Sequence, residues 1–191
     1  MKQNANHLRE KLVLASGSPR RAEILERAGW AHEVIVAGID ETLLPDEEAA
    51  AYVQRLARSK AEKVASGLDR GLVLGADTTV VVANQILGQP VDEADARRML
   101  DLLNATWHDV LTGVAVVRVG GETRVAYETT RVRFAEMSGD EIDWYIGTGE
   151  PFGKAGAYGI QGKASLFIEE IDGDYFNIMG LPIRLVYKLS V

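Results

Sequence analysis

Along this chain, short apolar runs alternate with stretches whose apolar positions recur every three to four residues. Each change of period marks an element. Residues 11–16 (KLVLAS) form a short buried strand in this reading. A helix follows from Pro19 to Ala28. Ser18 occupies its N-cap position, Pro19 its first turn and Gly29 the residue just past its end. Ile24, Leu25 and Ala28 give that helix an apolar stripe. A second strand is predicted over 33–38. A long helix is predicted over 46–66, with Tyr52, Val53, Leu56, Ala57 and Val64 on its buried face. Residues 72–76 (LVLGA) read as a buried strand that runs through Asp77-Thr78-Thr79 into Val80-Val81-Val82. Asn84-Gln85 reads as a turn. Asp92 caps a helix whose apolar positions are Ala96, Met99, Leu100 and Leu103. Strands over 108–119 and 122–134 meet at Gly120-Gly121, a hairpin signal. Ser138-Gly139-Asp140-Glu141 has the form of a capping box and opens a helix with Ile142, Tyr145 and Ile146 on one face. A glycine-dense stretch over 147–162, a strand over 164–171, a turn at Asp172-Gly173 and a helix from Leu181-Pro182 complete the pattern. Helices interleaved with strands, including a hairpin, predict an α/β fold with a mixed twisted sheet and flanking helices.

Composition narrows the class. The chain has 191 residues, enough for one sizeable core. The polar residues 1–10 read as a flexible tail, and 11–191 as a single domain. Cysteine is absent, which excludes disulfides, zinc–thiolate sites and cysteine nucleophiles. No apolar run approaches the roughly 20 residues of a membrane span, and the N-terminus has no apolar signal core. A cytoplasmic protein without a membrane partner is expected. With 21 Lys+Arg against 28 Asp+Glu, the net charge is −7, which argues against nucleic acid as a partner. If the substrate is an anion, positive charge must be gathered locally.

Five constellations carry candidate chemistry. Ser16-Gly17-Ser18-Pro19-Arg20-Arg21 joins a buried strand to a helix N-terminus, where free N–H groups, hydroxyls and guanidinium forks suit phosphate. It reads equally as a well-capped surface helix. Asp77 ends a buried strand, where a carboxylate is costly unless it is paired, binds a metal, acts as a base or caps a turn. Lys60 lies on the apolar stripe of the long helix, so it either snorkels to solvent or meets an anion. The loop from Glu150 to Gly162 has a glycine at 153, 156, 159 and 162. Lys154 and Lys163 would supply charge there, Tyr158 a stacking face and Gln161 an amide able to read a base edge. Asp40-Glu41 could help hold a hard divalent cation or be solvated charge.

Longer motifs add a resemblance. LASGSPRRAEIL at 14–25, YVQRLARSKA at 52–61, GADTTV at 75–80, LTGVAV at 111–116, EIDWYI at 141–146, KAGAYGIQG at 154–162 and MGLP at 179–182 resemble the Maf family of nucleotide pyrophosphatases. The resemblance spans about 12 to 185. It implies two lobes around a central cleft, similar to the inosine triphosphate pyrophosphatase fold. It also implies a homodimer and hydrolysis of a nucleoside triphosphate to monophosphate and pyrophosphate with a divalent cation, Mg or Mn. Arg20, Thr78 and Gln161 match the subgroup acting on dTTP and UTP, and modified pyrimidine triphosphates are further candidate substrates. The resemblance places the general base on Asp77, phosphate binding on Ser16, Ser18, Arg21, Lys60 and Lys154 besides Arg20, and the metal on Glu41 and Asp77. One departure stands out: many members carry lysine where this chain has Gln89, in Gly88-Gln89-Pro90. That missing charge keeps a second expectation open, a regulatory nucleotide-binding protein linked to septum control with little turnover.

Overall fold

The first apolar run is strand β1 (Leu12–Leu14), and it is wholly buried. The computed structural model describes residues 10–191. The tail expected over 1–10 therefore lies outside the described residues, apart from Glu10, whose two carboxylate oxygens accept from Arg118 Nη1. After β1 come α1 (Pro19–Arg27), β2 (His32–Val34), α2 (Ala49–Ala65), β3 (Leu72–Val82), β4 (Gln85–Leu87) and α3 (Glu93–Leu103). The chain continues through β5 (Trp107–Arg118), β6 (Thr123–Phe134), α4 (Gly139–Gly147), β7 (Ile168–Asp172), α5 (Tyr175–Ile178) and α6 (Ile183–Ser190). The seven strands form one mixed sheet in the order β2-β1-β3-β5-β6-β7, with β4 paired to β3. β1 runs parallel to β2 and β3, while β3–β4 and β6–β7 are antiparallel. No helix among the described residues is long and apolar enough to cross a membrane.

Most predicted elements form, with shifted ends. The strand predicted over 33–38 is shorter and begins one residue earlier, pairing over His32–Val34. The long helix begins at Ala49 rather than 46, because the chain turns at Asp46, whose φ is +56°. The predicted turn at Asn84-Gln85 sits one residue earlier. Ala83 and Asn84 both take positive φ, the geometry that matches the strand twist of a two-residue hairpin, and Gln85 opens β4. Asp92 and Ser138 cap their helices as predicted, the latter in a complete capping box. The strand expected over 164–171 is instead a 3-10 turn over Lys163–Phe167 followed by β7.

The chain divides into two compact units. The first comprises residues up to Asp77 together with 112–128 and 180–191; the second comprises 78–111 and 129–179. In the first unit α2 covers the sheet through Ala57, Ala61, Val64 and Ala65, packed with Val13, Val73, Ala115 and Val117. In the second, α3 and α4 bury Met99, Leu100, Leu103, Ile142 and Tyr145 with Val80, Val132 and Phe134.

One glycine sets how closely α2 approaches β3. A Cβ on Gly75 would lie 2.1 Å from Ala57 O and 2.9 Å from Ala61 N. Both atoms are helix backbone and cannot swing aside, so side chains do not space this contact. Successive residues of a strand alternate faces, so Val73, Gly75 and Asp77 all point toward α2. We expect Gly75→Ala to push the helix outward and cost about 3 kcal/mol of stability, the range for overpacking a tight core. A urea unfolding curve superimposing on wild type would contradict this contact.

Candidate active site

With α2 held close, the Lys60 ammonium reaches the carboxylate that ends the buried half of β3. Lys60 Nζ donates to Asp77 Oδ1 at 2.6 Å and lies 3.0 Å from Glu41 Oε1. The Lys60 and Asp77 side chains are 10% and 11% exposed, and Glu41 is 53% exposed. Lys60 therefore does not snorkel; it bridges two carboxylates of its own chain. Burial dominates the titration of Asp77 and holds its pKa above the ordinary carboxylate value. The charge and hydrogen bond of Lys60, and then Arg21, pull it down, while the negative charge of Glu41 adds to the rise. A partly desolvated carboxylate with a raised pKa is a better base than an exposed one.

The segment carrying Glu41 is tied to α2 at two points. Tyr52 Oη donates to Glu41 O at 3.0 Å. Arg55 donates to Thr42 O at 3.1 Å and grips Glu47 through both carboxylate oxygens. Asp40 accepts from the backbone N and hydroxyl of Thr42, making a local turn. Burial and the charges of Asp77 and Glu41 raise the Tyr52 pKa, so its phenol remains a donor. The sequence pattern assigned Tyr52 only to the apolar stripe. Its signal was the spacing Tyr52, Leu56, Lys60, one polar tip per two turns on a single line.

The Ser16–Arg21 segment does not behave as a simple capped helix. Ser18 stands at the N-cap of α1, yet its side chain makes no capping bond. Ser16 Oγ accepts from Arg21 Nη1 at 2.9 Å and from Ser18 N at 3.2 Å, leaving its own proton to donate. Arg21 is buried. Its Nε donates to Gly180 O at 2.8 Å and its Nη1 also to Ala76 O at 2.9 Å. Burial lowers its pKa while Asp77 raises it. Arg21 also has a positioning role: it ties Ser16 and the residue before Asp77 to the MGLP segment. Arg20 is half-buried and forms no hydrogen bond or ion pair among the described residues, and burial lowers its pKa. Ser16, Arg21, Asp77, Lys60 and Glu41 are therefore one connected network, with Ser18 and Arg20 at its helix-terminal edge.

Thr78, Lys154 and Gln161 belong to the second unit. Thr78 follows Asp77 on β3. Lys154 Nζ donates to Glu150 O, and Gln161 is exposed. Gln89 is exposed beside Gly88, whose carbonyl accepts from Gly156 N at 3.0 Å. Tyr158 is not the stacking face its glycine-rich surroundings suggested. It is 5% exposed, its hydroxyl lies 2.8 Å from His108 Nε2, and its ring packs edge-on against His108 and Phe134. Burial lowers the His108 pKa to about 4, so this pair is a neutral part of the core.

No group of three or more His, Cys, Asp or Glu side chains able to hold a metal occurs among the described residues. Asp77 and Glu41 do converge on one point, marked by Lys60 Nζ. Two carboxylates completed by substrate oxygens and water are a usual arrangement for Mg, so the residues fit the group.

The model of the family described as Maf-like protein matches residues 11–190. The chain is 50% identical over 180 residues to the dTTP/UTP pyrophosphatase of Symbiobacterium thermophilum, covering 94% of this chain and 92% of the relative. It is 51% identical over 183 residues to the dTTP/UTP pyrophosphatase of Hahella chejuensis, covering 94% and 90%. Among solved structures, the Ham1 protein of Staphylococcus aureus is similar, with a TM-score of 0.53 at 19% identity over 93% of this chain and 96% of that one. This last likeness concerns the fold alone.

Proposed function

The chain belongs to the Maf family, and from that membership we propose that it hydrolyses dTTP and UTP to the monophosphate and pyrophosphate. The observation that carries the proposal is the buried Asp77 carboxylate beside Lys60, Glu41 and the Ser16–Arg21 segment. Water attacks the α-phosphorus, and Asp77 takes its proton. Lys60 and Arg20 neutralise charge on the phosphates and the leaving pyrophosphate, and the Ser16 and Ser18 hydroxyls donate to phosphate oxygens. Arg21 holds Ser16 and Ala76 in place and adds its charge on the phosphate side. Lys154 supplies a further phosphate contact, and Thr78, Gln161 and Arg20 distinguish the pyrimidine. Asp77 and Glu41 would hold a divalent cation, Mg or Mn, which when bound withdraws charge from the phosphates. A homodimer in the cytoplasm completes this reading.

The relatives' shared enzyme name does not favour the alternative of a regulatory binder with little turnover. Pyrophosphate release is to be measured across dTTP, UTP, CTP, ATP and GTP, with pseudouridine and 5-methylpyrimidine triphosphates added, in Mg and in Mn. Release should be fastest from dTTP, UTP or a modified pyrimidine. Tight binding with no release in either metal would return the regulatory reading.

A further inference from the structure

The loop from 150 to 164 is closed by a single carboxylate. Glu150 Oε1 accepts from Tyr145 Oη at 3.0 Å, and its Oε2 accepts from Lys163 N at 2.9 Å, with Ala164 N at 3.4 Å from Oε1. Those two N–H groups open the 3-10 turn over Lys163–Phe167, so Glu150 caps a turn that begins 13 residues further along the chain. The same residue's backbone carbonyl accepts from Lys154 Nζ, and its backbone N donates to Thr148 Oγ1 at 3.2 Å. Tyr145 projects from α4 and is completely buried in the core, so the carboxylate is anchored to a rigid point. Gly162 leaves room for this closure: a Cβ there would lie 2.2 Å from Glu150 Oε1 and 2.4 Å from Oε2. Burial alone would raise the Glu150 pKa. The donors Lys163 N, Tyr145 Oη and Ala164 N, with the Lys154 charge, outweigh it and hold the group below its ordinary value.

Glu150 therefore joins the two ends of the segment that contains Lys154 and Gln161. We propose that Glu150 is a positioning residue for nucleotide recognition, fixing the closed loop that presents Gln161 to the base and Lys154 to the phosphates. This rests on the reading that Lys154 and Gln161 meet the nucleotide. The chemistry is specific to a carboxylate. All its partners are donors, and an amide in its place would turn an N–H group toward one of them. The loop would then open at the 163–164 end, and Gln161 would lose its fixed aim.

The test is the preference for UTP over GTP, read as the ratio of kcat/KM values, in the full-length protein. We expect Glu150→Gln to lower that preference about tenfold, mainly through a higher KM for UTP. Tyr145→Phe, which removes one anchoring donor and preserves the core ring, should shift the preference the same way by less. In a Gln161→Ala background Glu150→Gln should add little further loss, because both changes act on one contact. A folded Glu150→Gln protein with wild-type preference overturns the proposal. So does a loss that multiplies fully with that of Gln161→Ala, which would make Glu150 a general structural brace. If Glu150→Gln does not fold, an unchanged preference in Tyr145→Phe overturns it instead. A wild-type protein that releases no pyrophosphate from any triphosphate overturns the underlying reading and this proposal with it.

Discussion

Asp77→Asn is expected to lower kcat/KM for pyrophosphate release by about a thousandfold, within the span that a positioned general base supplies. Asparagine keeps the volume of the side chain and one oxygen able to accept from Lys60 at the place where Asp77 Oδ1 now lies 2.6 Å from Nζ. What it loses is the capacity to take a proton near neutral pH, and the second negative oxygen. Lys60 retains Glu41 at 3.0 Å, so its charge is not stranded. The variant should therefore fold and bind nucleotide while failing in chemistry, a loss in kcat rather than in KM. Steady-state kinetics with a coupled pyrophosphate assay separates the two. A fully active Asn variant would remove Asp77 from its role.

Lys60→Met has the second large effect, and it falls on both stability and rate. Methionine approximates the length of the stem without its charge. Asp77, at 11% exposure, would then face Glu41 with no cation between them. Removing one partner of a buried pair costs about 3–5 kcal/mol, because the remaining charge is left without compensation. Asp77 escapes part of that cost by binding a proton. Its pKa, already raised by burial, rises further once the opposing pull of Lys60 is gone. The base is then protonated over more of the acid range, and the acid limb of the pH–rate profile moves to higher pH. Urea unfolding at pH 7 and a pH–rate profile check the two halves. Unchanged stability with an unchanged acid limb would show that Lys60 and Asp77 do not act as a pair.

Much of this arrangement was legible from the residues, though seldom as contacts. The Asp92 cap, the Ser138 box and the stripes of α1, α2 and α3 follow from local chemistry, and local chemistry survives folding. Asp77 and Lys60 each announced themselves as charges in apolar company, but their contact spans 17 residues and depends on Gly75 admitting the helix. Periodicity has no term for that approach. Tyr158 misled because glycines on both sides suggested an exposed loop, whereas the aromatic shell of His108 and Phe134 comes from strands 24 to 50 residues away in sequence. The strand expected over 164–171 failed for a similar reason: Glu150 caps the 3-10 turn there from across the loop. The ties of Arg21 to Ala76 and Gly180 went unseen because their acceptors are backbone carbonyls, and no sequence pattern marks a carbonyl as taken.

The net charge of −7 also acquires a location. In the first unit Arg21 and Lys60 act on Asp77, with Arg20 beside Arg21, while Arg27–Glu23, Arg58–Glu62 and Lys11–Glu33 are exposed pairs of little energetic weight.

The proposed chemistry turns on where water attacks. Hydrolysis of UTP in 18O-labelled water, followed by mass spectrometry of the products, tests this directly. Attack at the α-phosphorus places the label in the monophosphate and leaves the released pyrophosphate unlabelled. Label in the pyrophosphate, or release of labelled orthophosphate, would contradict the account.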